Sequence, residues 1–200
     1  VTGLSFGFIM AVGSSFFLLC VQWVSGLLSS TRAINVDFFG KSLSVGPLIG
    51  LFVAVVFILI IRQLFGITRW HGPADSIYAA HRTDNELDAR HGFGSTIAAF
   101  VSASGGASVG QYGPLVHFGA TMGSVIRQVT GSKITTDVFI GCGVAGAIAA
   151  GFNAPIAGVV FAHEAILRHF SLRAIAPIAI ASITAAWVSK WLFGANPLFM

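Results

Sequence analysis

Five stretches of this chain carry no Asp, Glu, Lys or Arg: Val1 to Thr31, Ser42 to Ile61, His91 to Ile126, Val138 to His163 and Ala174 to Ser189. A hydrocarbon layer about 30 Å thick takes about 20 apolar residues of helix to cross, and most of these runs match or exceed that length. The last is shorter, but it continues past Lys190 into Trp191-Leu192-Phe193, where a lysine snorkels to the interface. With 55% hydrophobic and 9% charged residues and a mean hydropathy of +0.85, the chain has too little charge to solvate a soluble domain. The expected fold class is all-α, a polytopic transmembrane helical bundle.

Val1 to Leu28 lacks the basic leader and small-residue cleavage site of a secretory signal and is long enough to span, so it reads as a first transmembrane helix. The chain starts without methionine and stops at Phe199-Met200 directly after an apolar segment, so both ends read as cuts in a longer protein. The net charge of +4 comes from basic residues that are scattered, with no cluster and no basic amphipathic face, which argues against a nucleic-acid partner. Arg62, Arg69, Arg82 and Arg90 share one polar connection with Asp75, Asp84, Glu86 and Asp88, so charge leaves the orientation in the membrane open. Cys20 and Cys142 lie inside apolar runs, where a free cysteine behaves as a small hydrophobe.

Two of the apolar runs are broken. One helix over about residues 3 to 29, a polar link carrying Arg32, Asp37 and Lys41, and a second helix over about 43 to 65 are expected first. Gly66 to Arg90 reads as a loop with a short helix from Ser76 to Arg82. The third run then divides at Gly105 to Gly113, and the fourth at Gly151-Phe152-Asn153-Ala154-Pro155. Irregular backbone at membrane depth is tolerated only where protein buries it or a cavity wets it. Pro114 is suited to open a helix with Gly113 at its cap, which leaves the amides of Leu115 and Val116 to attract an anion. A plain packing break between two helices is the competing explanation. Small residues four apart, Gly119 and Gly123, Ala147 and Gly151, Ala154 and Gly158, favour close helix approach.

An enzyme is a poor fit. Gly106-Ala107-Ser108-Val109-Gly110 matches the Gly-x-Ser-x-Gly pattern, with Glu164 and His169 following in hydrolase order, but Gly3-Leu4-Ser5-Phe6-Gly7 matches as well. The pattern means little without a strand and a sharp turn around the serine. His163-Glu164 followed by His169 misses the four-residue spacing of a zinc site, so no metal and no cofactor are expected, and His117 and His169 read as structural or interfacial.

Gly110-Gln111-Tyr112-Gly113-Pro114-Leu115-Val116-His117-Phe118-Gly119-Ala120 resembles the Gly-Arg/Lys-Glu-Gly-Pro signature of the CLC-type chloride channels and chloride/proton antiporters, with the helix that follows it. Gly146 to Phe161, including Gly151-Phe152-Asn153-Ala154-Pro155-Ile156-Ala157-Gly158, is similar to the same family's Phe-Asn-Ala-Pro-x-Ala-Gly segment. The resemblance is best from about Gly92 to Gly194 and implies the first inverted repeat of such a fold. Residues 1–200 would then be a partial transmembrane domain without the second repeat. It also implies a dehydrated chloride or similar anion held between helix amino-termini, and a homodimer whose interface takes in Ile156 to Ile166 and Ile175 to Trp187.

Three positions depart from the family pattern. Tyr112 stands at the place of the gating glutamate, and a phenol with a reference pKa of about 10 does not exchange protons near neutrality. Ala165 stands at the place of an internal proton-transfer glutamate; Glu164 is adjacent but points roughly 100° away on a helix. Trp70-His71-Gly72-Pro73 keeps the Gly-Pro of an anion-contacting loop and loses its serine, leaving His71 and the amides after Pro73 to face the ion. The expectation is passive chloride conduction along Gly110, Gln111, Tyr112, Gly113, Pro114, Leu115, Val116, His71, Gly72 and Pro73. Phe152, Asn153, Ala154, Pro155 and Gly158 are expected to form a structural motif. A chloride/proton antiporter and a non-conducting membrane subunit are the alternatives.

Overall fold

The computed structural model describes residues 4, 7–9, 11–13, 15, 16, 19, 23 and 26, then 35–38, 41–44, 46–82, 87–108, 110, 112–132 and 134–193. The described residues between Leu4 and Gly26 are helical. The polar link is not irregular: Asn35–Phe38 (β1) pairs antiparallel with Lys41–Ser44 (β2), Asn35 opposite Ser44 and Phe38 opposite Lys41. These two short segments satisfy backbone groups against each other, and the second helix begins at Gly46, after the expected start near residue 43. The rest of the described chain is helical: α1 (Gly46–Phe65), α2 (Pro73–His81), α3 (Ala89–Ser104), α4 (Tyr112–Thr130), α5 (Thr136–Phe152), α6 (Pro155–Phe161), a π-helical turn (Ala162–Leu167) and α7 (Leu172–Phe193). Both expected breaks are present, between α3 and α4 and between α5 and α6.

Among the described residues, two helices are long and apolar enough to cross a membrane, over Pro47–Phe65 and Leu172–Leu192. α1 leaves Leu48, Phe52, Val53, Val55, Val56, Phe57, Leu59 and Ile60 exposed, a face that suits hydrocarbon and would be unsupportable in water. Its inner side meets α3 through Ile61, Ile67 and Ala98. There Gly105 packs so closely that an added Cβ would lie 2.5 Å from that of Ala54.

α5 is the central helix. Every residue from Val138 to Gly151 is buried, which explains why this segment shows no polar face at all. α4 covers one side of it and α7 another. The α4–α5 crossing is made of glycine on both sides: a Cβ on Gly119 would lie 2.5 Å from the Gly143 carbonyl oxygen, and one on Gly123 would collide with the Phe139 carbonyl. Gly158 of α6 likewise lies where a Cβ would be 2.6 Å from the Ala145 carbonyl oxygen. The small-residue spacings in the sequence therefore mark real backbone-to-backbone contacts, stabilised by dispersion rather than by any hydrophobic force between helices. Ala11 of the first helical stretch joins Ala149, Ala150, Ala185, Ala186 and Val188 in an alanine-rich contact, and Ser15 shares a 2.9 Å hydrogen bond with Ser189.

α3 has a side-chain cap. Asp88 accepts hydrogen bonds from the amides of Arg90 (2.9 Å) and His91 (3.2 Å) and from the His91 ring. Partial burial opposes ionisation of Asp88, but the His91 ring and the amides outweigh it and hold its carboxyl below the usual carboxylate range. Because the folded value is the depressed one, the cap's contribution is present above the unfolded pKa and is lost as pH falls through the folded one. Asp88→Ala is expected to cost about 1 kcal/mol, read as a lowered thermal midpoint at neutral pH. The deficit should vanish in strong acid, where the wild-type carboxyl is also protonated.

Candidate functional site

Two helix starts converge at one place. α2 opens with Gly72 as an extended cap and Pro73 at its first position, where a missing N–H costs nothing. The Gly72 amide donates to Asp75 Oδ2 at 2.8 Å, and Arg69 pairs with the same carboxylate. Partial burial opposes ionisation of Asp75, yet the Gly72 amide, His71 and Arg69 together lower its pKa. This carboxylate occupies part of the positive end of α2, so the amide of Ala74 is the open donor of that first turn.

α4 begins at Tyr112, two residues before the expected start at Pro114. Leu115 and Val116 therefore enter the helical ladder and bury their side chains in the core. The expectation that the Leu115 and Val116 amides are the exposed ones is thus corrected. The start shifts because proline is accommodated anywhere among the first positions whose N–H has no intrahelical acceptor.

α2 and α4 start side by side. A Cβ placed on Gly113 would be 3.6 Å from Pro73 Cγ, and one turn further along both helices Ser76 Oγ and His117 Nδ1 share a 2.8 Å hydrogen bond. His71, at the mouth of α2, is half-buried, and its amide donates to Ser95 Oγ on α3 at 2.9 Å. Its ring is edge-on to His117 at 6.3 Å and tilted against His91 at 5.5 Å. His71, Gly72, Pro73 and Gly113, selected separately in the sequence, are brought together here. Ser76, His91 and His117 complete the same place and went unselected, because only the three-dimensional register of α2 against α4 pairs residues so far apart in the chain.

The second motif reaches the first. The Tyr112 ring lies against the Phe152 ring, with centroids 4.1 Å apart. Asn153 ends α5 in the left-handed conformation (φ 52°, ψ 35°), which asparagine tolerates better than most residues. The chain then turns through Ala154 into Pro155 at the start of α6, whose carbonyl accepts from Ser182 Oγ at 2.7 Å. Gly110 is exposed, and Gln111 lies outside the described residues. Ala165 and Glu164 are not part of this junction: they sit on the π-helical turn beyond α6, Ala165 half-buried and Glu164 exposed. Ser108 is exposed in the turn after α3, and the His169 ring bonds to the Leu167 carbonyl at 2.7 Å.

The family model described as voltage gated chloride channel matches residues 52–200. A putative chloride channel protein ClcB-like from Ralstonia nicotianae is 29% identical over 133 residues, covering 64% of this chain and 31% of that protein. A voltage-gated ClC-type chloride channel ClcB from Yersinia pseudotuberculosis is 27% identical over 122 residues, 61% of this chain and 30% of its own. The chain thus spans about a third of the length of the curated relatives it matches. The crystal structure of a CLC-type fluoride/proton antiporter has the same fold, with a TM-score of 0.76 and 22% identity over 97% of this chain and 46% of that one. With most of its length under the family model and its fold matched almost end to end, the chain belongs to the voltage gated chloride channel family of integral membrane proteins.

Proposed function

We propose that this chain forms part of a passive anion channel, with chloride as the transported ion and the junction of the α2 and α4 starts as its half of the ion site. The observation that carries this reading is the approach of Gly113 to Pro73, which brings the positive ends of two helices to one small region. Partial dipoles replace an anion's hydration without the full charge of a lysine, so the ion is held and still released. Tyr112 borders the path at the gate position, and Ala165 at the second position carries no proton, which favours conduction over exchange. Relatives named as chloride channels support chloride as the ion. The antiporter among the solved structures supports the fold. Residues 1–200 act as the first repeat of a larger transmembrane domain, without enzymatic chemistry and without a cofactor. The exposed row of Ile156, Val160, Ile183 and Trp187 offers an apolar face for a second copy in a homodimer.

The test is chloride efflux from liposomes loaded with the complete protein. Efflux well above that of protein-free liposomes supports the channel; a folded, correctly inserted protein that passes no chloride would replace it with a non-conducting subunit.

A further inference from the structure

The start of α2 has few donors to offer an anion. Pro73 has no N–H, and the amides of Asp75 and Ser76 are both turned back to the Gly72 carbonyl, at 3.0 and 3.3 Å. The Gly72 amide is taken by Asp75 Oδ2 at 2.8 Å. Ala74 is therefore the open donor while Asp75 is in place, and Gly72 joins it once the carboxylate moves off. The carboxylate has a second partner to move toward, since Arg69 holds its other oxygen, Oδ1. The Asp75 side chain is 17% exposed and that of Arg69 72%, so the carboxylate lies between the half-buried Gly72 amide and a guanidinium at the surface. His71 also bears on it electrostatically. A carboxylate and a chloride seek the same N–H groups and repel each other at short range. Asp75 takes its amide right beside Pro73, where α4 comes closest through Gly113.

We infer that Asp75 is a built-in competitor for the transported anion and sets how tightly the ion is held at the start of α2, an inference that rests on the ion site proposed above. With Oδ2 on Gly72, the site is short of one donor and stands beside a negative charge, so an anion there is held weakly and leaves readily. When the carboxylate turns toward Arg69, Gly72 and Ala74 both face the anion and hold it. Only hydrogen bonds are exchanged. Arg69 is a positioning residue in this scheme: it acts through Asp75, neutralising the carboxylate and drawing it toward the surface.

The experiment is calorimetric titration of the complete protein with chloride, for the wild type, Asp75→Asn, Arg69→Gln and the double variant. Asparagine keeps an acceptor for the Gly72 amide and loses the charge, so Asp75→Asn should bind chloride about tenfold more tightly. Arg69→Gln leaves the carboxylate uncompensated and should bind chloride about tenfold more weakly. The double variant should match Asp75→Asn to within about twofold, because the arginine acts only through the carboxylate. A role confined to capping α2 gives a lower thermal midpoint for Asp75→Asn with unchanged or weaker chloride binding, and that result would overturn the inference and leave the ion site standing. If Asp75→Asn is not recovered folded, Arg69→Gln, at an exposed side chain, decides the matter: binding no weaker than that of the wild type overturns the inference in the same way. Failure of the wild type to bind chloride would overturn the ion site and the role of Asp75 together.

Discussion

Gly143→Val should prevent the α4–α5 pair from forming. A Cβ at this position would run into the Gly119 carbonyl oxygen and stand 3.4 Å from the Gly123 amide nitrogen, and both are backbone atoms of a regular helix. No rotamer relieves such a contact, so the helices must separate. Overpacking in an adaptable core costs about 1–3 kcal/mol. Here the cost should sit at or above the top of that range, because the backbone cannot yield as a side chain does. The consequence extends to the proposed ion site, since α4 begins with Tyr112 and α5 ends with Phe152, and their ring contact depends on the crossing between them. The expected outcome is loss of most monodisperse protein on detergent extraction and size-exclusion chromatography. Gly26→Ala is the control: nothing lies within 4 Å of the added carbon, and the protein should be recovered in normal yield.

Tyr112→Glu should close the path at neutral pH and reopen it in acid. A carboxylate in the first turn of α4 is favoured by the helix dipole and competes with the permeating anion for the same amides. A competition of about 1.4 kcal/mol is enough for a tenfold loss of flux, so at least that loss is expected near neutrality. Protonation removes the competing charge, so flux should recover as pH falls through the carboxyl's pKa. The wild-type phenol, with a reference value of about 10, has no such transition in this range. An unchanged chloride flux in Tyr112→Glu at every pH would remove Tyr112 from the path.

The sequence shows some of this directly. Charge-free runs and the two glycine- and proline-marked breaks define where helices stop, because the tolerance of those residues for unusual backbone is a local property. The residues around Asn153 illustrate it: a left-handed asparagine followed by Pro155 ends one helix and starts the next with little help from the rest of the fold. The contact between the Tyr112 and Phe152 rings, which brings the two breaks together, was not legible in the sequence. Less was legible where partners are distant or geometry is subtle. The β1–β2 hairpin occupies what reads as a polar link, since strands this short carry no decisive periodicity. The first turn of α4 starts at Tyr112 and not at Pro114, because proline marks a permitted region rather than a single position. The π-helical turn at Ala162–Leu167 changes the facing of Glu164 and Ala165 relative to an α-helix, and nothing in those residue types announces it. His117 reads as an ordinary structural histidine until α2 is laid beside it and Ser76 is found on its ring.

The most direct test of uncoupled anion flow is to record chloride and proton movement together from liposomes containing the complete protein, under a chloride gradient and with no initial pH difference. Chloride should run down its gradient while the internal pH stays level once the membrane potential is clamped. Sustained proton movement against its own gradient, driven by chloride, would contradict it and make the protein an exchanger despite Tyr112 and Ala165.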